Sequence, residues 1–188
     1  MSRLLYIVGA SGAGKDSVMG YARGRLAPSA DVAFAHRYIT RPADAGGENH
    51  VFLSATEFQS RRARGCFLLD WESHGHCYGI GVEVTAWLAA GLVVVANGSR
   101  AYLPEARRRV PGLLPIEITA DDAALSQRLA ARGREAPEEI RARIERAHRL
   151  RLDDPDAVII DNSGPLSGAG DLLLSVIQAT RLRSSVAA

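Results

Sequence analysis

At 188 residues, 47% of them apolar, the chain is the right size for one domain with a substantial core. A formal net charge of +2 argues against a general nucleic-acid surface. The two cysteines, Cys66 and Cys77, lack metal-ligand spacing and read as reduced thiols of a cytoplasmic protein, not as a disulfide framework.

Predicted strands and helices alternate along the chain. Leu4-Leu5-Tyr6-Ile7-Val8 reads as a buried strand, too short for a secretory leader, that runs straight into a glycine-rich turn. A helix is expected from about Ser17 to Leu26, then one extended segment from Asp31 to Ile39 leading into Thr40-Arg41-Pro42. Residues 43–50 are polar and loop-like. Ser54-Ala55-Thr56-Glu57 is a capping box opening a short helix that Gly65 ends. Cys66 to Trp71 and Tyr78 to Ile80 form two short strands around Ser73-His74-Gly75-His76. Val82 to Ala90 is a helix stopped by Gly91, and the β-branched run Leu92 to Ala96 is a strand buried on both faces. There follow a helix from Ala101 to Arg109, a strand from Leu114 to Thr119 and a helix from Asp121 to Arg132. An Arg-bearing loop then precedes a helix from Pro137 to about Leu152. The strand Ala157 to Ile160 and a helix from Leu166 to Arg181 close the chain, with a fraying tail from Ser184. The longest apolar stretch, Val84 to Ala96, is too short to span a bilayer. The arginine clusters at 61–64 and 107–109 read as solvated helix faces. The order predicts an α/β protein, a parallel sheet covered on both faces, interrupted by a small mixed insertion.

The turn carries the chemistry. Gly9-Ala10-Ser11-Gly12-Ala13-Gly14-Lys15-Asp16-Ser17 has the G-x-x-x-x-G-K spacing between a strand and a helix, the setting in which backbone N–H groups and a helix dipole converge on a phosphate. Lys15 is the only lysine in the chain, a compact mobile cation where every other basic position is Arg. These nine residues are the expected ATP-binding loop. The Ser/Thr that usually follows the lysine and ligates Mg²⁺ is replaced by Asp16, with Ser17 next. Asp16 can ligate the metal, hold it through water or cap the helix; Asp16 and Ser17 are the candidate metal positions.

Beyond the loop, the chain resembles the guanylate kinase family of nucleoside monophosphate kinases. The resemblance runs through Tyr38-Ile39-Thr40-Arg41-Pro42, Phe52-Leu53-Ser54 to Phe58, Phe67-Leu68-Leu69 and Tyr78-Gly79. It continues through Arg128-Leu129, Arg132-Gly133, Ile140 to Arg143 and Val158 to Asn162. It implies a three-layer P-loop NTPase fold in one domain, with a core of about 1–40 and 82–183. The acceptor-binding insertion would span about 41–81 and the lid about 132–137. It also implies that Arg41 and Tyr78 grip the acceptor phosphate, and that Arg132, Arg134 and Arg143 join Lys15 in neutralising the transferring phosphoryl group.

The departures from that family set the expected substrate. Where guanylate kinases read guanine with a Glu, this chain has Leu69; their second acidic reader falls in Asn97-Gly98-Ser99-Arg100; and a tyrosine is replaced by His50. Leucine cannot accept the base's hydrogen bonds, and each buried donor left unpaired costs about 1–3 kcal/mol. Arg41, His50, Tyr78, Asn97, Ser99 and Arg100 instead offer donors to a small anion. The Gly-Lys-Asp-Ser ending, Arg37 to Pro42, Gly46 to His50 and Ala96 to Arg100 resemble the ribose 1,5-bisphosphate phosphokinase branch, associated with phosphonate breakdown. The resemblance implies an ATP- and Mg²⁺-dependent phosphotransferase making 5-phosphoribosyl 1-diphosphate. Its only expected partner is that small-molecule substrate, with no nucleic acid and no membrane, and a homodimer is compatible. The alternatives are a guanylate kinase and, disfavoured by the intact loop, a non-catalytic binding module.

Overall fold

The structure, a computed structural model, describes residues 4–26, 31–42, 50–131 and 136–185. In chain order the elements are β1 (Leu4–Gly9), α1 (Lys15–Leu26), β2 (Val32–Ala35), β3 (Arg37–Ile39), β4 (His50–Phe52), α2 (Ala55–Ala63), β5 (Phe67–Ser73) and β6 (His76–Gly81). They continue as α3 (Glu83–Ala89), β7 (Val93–Asn97), α4 (Leu103–Arg109), β8 (Leu114–Thr119), α5 (Asp122–Ala131), α6 (Pro137–Arg149), β9 (Val158–Asp161) and α7 (Leu166–Ser185).

The main sheet runs β2-β7-β1-β8-β9, and every pairing in it is parallel. Parallel neighbours require crossovers, and the helices that make them cover both faces. Side chains alternate along β1. Leu5 and Ile7 pack with Val18, Leu125 and Leu173 on one face, and Leu4, Tyr6 and Val8 with Val84 and Leu103 on the other. Because β1 is flanked by β7 on one side and β8 on the other, its carboxyl end is the switch point where open α/β sheets bind ligands.

The second sheet, β4-β3-β6-β5, is mixed: β3 pairs parallel with β4 and antiparallel with β6. The single extended segment expected over Asp31 to Ile39 divides at His36, its first half pairing with β7 and its second with β4 and β6. Leu53, Phe58 and Phe67 form a small core of this sheet's own, with the Phe58 and Phe67 rings stacked at 4.5 Å. Leu69, Trp71, Tyr78 and Ile80 belong instead to the apolar cluster under β1 and β7, so the two sheets share packing. As expected, Ser54 caps α2 by accepting the Glu57 N–H at 3.2 Å.

Other boundaries moved for local reasons. The helix α1 begins at Lys15, because Gly14 O already accepts the Val18 N–H at 3.0 Å. The helix α6 ends at Arg149 and not at Leu152, whose N–H is taken by Glu117. Helix α7 runs through Ser185, past the start of the expected fraying tail. Nor are the arginine clusters merely solvated. Arg107 pairs with Asp154 at 2.7 Å, Arg62 with Asp70 at 2.8 Å and Arg109 with Glu105 at 2.9 Å. Among the described residues no helix is long and apolar enough to cross a membrane.

Candidate active site

The turn between β1 and α1 is a cradle braced from outside. Gly14 has φ +84°, and a Cβ there would come within 2.5 Å of Asn162 Nδ2, so only glycine fits. Asn162, buried at the end of β9, donates to Ala13 O at 2.7 Å, and Arg128 of α5 donates to Asn162 O at 2.6 Å and to Ala13 O at 3.5 Å. Sequence reasoning assigns these two residues no role; the signal was a polar side chain ending an apolar strand. Lys15 Nζ reaches back over the turn, donating to Gly9 O at 3.2 Å and Ala10 O at 3.4 Å. Its ammonium thus lies over the loop into which Gly12, Gly14 and the first turn of α1 converge. Such a nest of backbone N–H groups under a mobile cation suits a polyphosphate.

Asp16 stands in the first turn of α1, where a carboxylate complements the helix dipole. Its Oδ1 accepts a 2.7 Å hydrogen bond from Asn97 Nδ2, with Asn97 buried at the end of β7. Asn97, expected on the acceptor side, therefore meets the phosphate loop directly. Gly98 lies so close to the Tyr6 ring that any side chain would run into it, and Ser99 N–H donates to Tyr6 Oη at 3.0 Å. Burial raises the Tyr6 pKa well above its ordinary value, keeping the hydroxyl protonated. Arg100 donates at 3.2 Å to Glu117 Oε1 and at 3.2 Å to Ala147 O of α6, an ion pair almost sealed from solvent. Asn97 and the three residues after it are thus tied down in turn by Asp16, Tyr6 and Glu117.

On the insertion, Arg41 and His50 come together: His50 Nε2 lies 3.3 Å from Arg41 O. Tyr78 contacts the Arg37 guanidinium, 5.1 Å from its ring, and stacks on Trp71, 5.6 Å away with the ring planes nearly parallel at 5°. Trp71 stacks in turn on Tyr102 at 5.5 Å. Leu69 is fully buried in this apolar cluster. A cleft of about 500 Å³ opens between β5 and the start of α4, with Ser73 and Glu72 on one wall and Ser99 on the other.

Arg143, on α6, donates to Ser11 Oγ of the phosphate loop at 3.0 Å, so this predicted residue does reach the cradle. Arg132 and Arg134, and the Gly46 to Asn49 stretch, lie outside the described residues.

No family model matches the chain. A protein of Desulfomicrobium baculatum named ribose 1,5-bisphosphate phosphokinase PhnN is 55% identical over 182 residues, covering 97% of both chains. The Thiobacillus denitrificans protein of the same name is 50% identical, over 93% of this chain and 92% of its own. The chain belongs to the ribose 1,5-bisphosphate phosphokinase family. Another such phosphokinase, from Laribacter hongkongensis, is 57% identical over 92% of this chain but only 42% of that longer protein. Among solved structures, a guanylate kinase from Anaplasma phagocytophilum superposes with a TM-score of 0.65 at 15% identity, over 95% of this chain and 85% of that one. That likeness establishes the guanylate-kinase-like fold alone. In this member of the phosphokinase family, the position expected to read guanine is the buried Leu69, which has no hydrogen-bonding group to offer.

Proposed function

We propose that this chain is a ribose 1,5-bisphosphate phosphokinase, transferring the γ-phosphoryl group of ATP to the 1-phosphate of ribose 1,5-bisphosphate. The products are ADP and 5-phosphoribosyl 1-diphosphate. The observation that carries the reading is the pairing of a complete phosphate cradle with an acceptor side whose base-reading position is the buried, apolar Leu69. The family membership points the same way, and the cytoplasm is the proposed compartment.

In this mechanism an oxygen of the acceptor's 1-phosphate attacks the γ-phosphorus in line, and the bond to the β,γ-bridging oxygen breaks as ADP leaves. The nucleophile is already anionic near neutral pH, so the protein has no proton to remove. What remains is positioning and charge stabilisation. The loop N–H groups from Gly9 to Ser17 hold the polyphosphate, and Lys15 turns from the loop carbonyls to the β- and γ-oxygens. Arg41, with His50 beside it, faces the acceptor phosphates, and Tyr78 and Ser99 complete that side, with the Arg100 guanidinium turned into the core. We assign Arg143, Arg132 and Arg134 to the equatorial oxygens, with residues 132–137 as the lid that excludes water. The Asp16 carboxylate and the neighbouring Ser17 hydroxyl would hold Mg²⁺ here, oxygen donors of the kind that hard cation favours. Such a cation would supply Lewis-acid charge neutralisation for the polyphosphate.

The test is ADP release from Mg-ATP measured in parallel with ribose 1,5-bisphosphate, GMP, AMP and no acceptor. Turnover confined to the ribose bisphosphate, with a product that a phosphoribosyltransferase consumes, is the expected result. Preferential turnover of GMP overturns the argument from Leu69.

A further inference from the structure

One carboxylate of the main sheet has no place in that mechanism. Glu117 sits mid-strand in β8, between Ile116 and Ile118, with its side chain only 3% exposed. A buried charge persists where each of its oxygens is engaged. Both are. Oε1 accepts from Arg100 Nη1 at 3.2 Å, and Oε2 accepts from the Leu152 N–H at 3.2 Å. These two partners bracket α6: Arg100 Nη1 also donates to Ala147 O in the last turns of the helix, and Leu152 lies three residues beyond its end. Ala147 O is one of the carbonyls a helix C-terminus leaves without an intrahelical donor, so the guanidinium caps the helix as well as pairing with Glu117. One turn earlier on the same helix, Arg143 meets Ser11 of the phosphate loop at 3.0 Å.

We propose that Glu117 is a positioning residue: by holding Arg100 and the Leu152 amide it anchors the C-terminal end of α6 to β8, and so sets where Arg143 meets the phosphate loop. This rests on the reading of Arg143 as a cation of the transfer step. Glu117 touches no substrate. It acts because the helix is short and otherwise amphipathic. Of its thirteen residues only Ile140 is buried, with Ile144 and Ala147 half-buried against the core, and a buried two-pronged carboxylate adds a directional hold on its rotation and height against the sheet. The same contact bears on Arg100. Its guanidinium is committed to the core, so its effect on the acceptor side runs through the Asn97 to Arg100 turn.

The test is a double-mutant cycle between Glu117→Gln and Arg143→Ala, read as kcat and both KM values with Mg-ATP and ribose 1,5-bisphosphate. If Glu117 works by placing Arg143, Glu117→Gln lowers kcat about ten-fold in the wild-type background and less than about two-fold once Arg143 is gone. The KM values stay within about two-fold, and amide exchange of residues 143–152 speeds up while that of β1 and β7 does not. Equal fold losses in the two backgrounds overturn the proposal, because a general structural defect adds to the Arg143 loss instead of overlapping it. If Glu117→Gln does not fold, Glu117→Asp decides the matter by the same cycle: it keeps the charge beside Arg100 but is too short to span both partners. Arg143→Ala with unchanged kcat refutes the role given to Arg143, and this proposal with it. Absence of turnover on the ribose bisphosphate in the unaltered protein refutes the substrate reading instead; helix exchange in Glu117→Gln then decides the anchoring, and unchanged exchange overturns it.

Discussion

Replacing Tyr6 by Phe removes one oxygen from the centre of the molecule and leaves the ring in place against Gly98. What is lost is the 3.0 Å hydrogen bond from the Ser99 N–H, the tie that holds the turn after β7 to β1. Ser99 is partly exposed, so its amide recovers some hydration, and the net cost falls near 1 kcal/mol. For a chain of this size that is about 2–4 °C in Tm. The same loosening reaches the acceptor side, where 1 kcal/mol corresponds to about a five-fold rise in KM for ribose 1,5-bisphosphate. KM for ATP, held on the other side of β1, stays put.

The pH dependence sharpens the test. Burial holds the Tyr6 pKa in the folded protein above the ordinary value of 10.0, so stability from its neutral hydroxyl is fully present below pH 10.0. Above that, the unfolded chain gives up the proton and the folded one does not, and stability falls by roughly 1.4 kcal/mol per pH unit. The Tyr6→Phe protein lacks this loss, and other tyrosines contribute alike to both. The two stability curves, measured by urea unfolding between pH 8 and 11.5, should therefore converge and cross near pH ~11. A variant with wild-type Tm and a parallel alkaline decline would refute both the bond and its burial.

Lys15→Ala should cut kcat by at least about 10³-fold with the Tm unchanged, since its half-buried ammonium donates to the loop carbonyls of Gly9 and Ala10; a well-folded, active variant removes the loop from the mechanism. Gly14→Ala places a Cβ against Asn162 at φ +84°, and calorimetry should show ATP affinity reduced more than about ten-fold. Retained affinity means the cradle yields where the packing says it cannot. Phe58→Ala empties the small core of the insertion and should lower stability by about 3–5 kcal/mol in denaturant unfolding, because the fully buried ring stacks on Phe67. A loss below about 1 kcal/mol means that the insertion gains little from a core of its own.

Much of this fold could be read from residue pattern. The apolar runs Leu4–Val8 and Leu92–Ala96 and the Ile-bearing stretch Leu114–Thr119 are β-branched or Leu-rich, so strand identity followed from local chemistry and parallel pairing from the alternation with helices. The loop was equally plain, because its function demands a spacing of glycines and a lysine. What stayed hidden depends on partners distant in sequence. Asp31 to Ile39 looks like one strand, and only its neighbours reveal that it serves two sheets. Tyr6 and Glu117 occupy strands that read as core, and nothing nearby in sequence indicates that Ser99 and Arg100 will lie opposite them. Asn97 illustrates the same gap: its position after a buried strand marked it as a site residue, but the identity of its partner, Asp16, is a matter of topology.

A sole lysine lying across the phosphate loop has a practical consequence. An amine-directed acylating reagent has a single side-chain target in this sequence, and that target lies over the phosphate loop. Modification at Lys15, located by peptide mapping so that it is told apart from the more reactive α-amino group, would therefore count accessible phosphate loops. Protection by a bound nucleotide would report occupancy without any turnover assay. For the same reason, every lysine-directed label that enters the chain falls on the phosphate loop, and coupling through Cys66 is a chemistry that leaves Lys15 untouched.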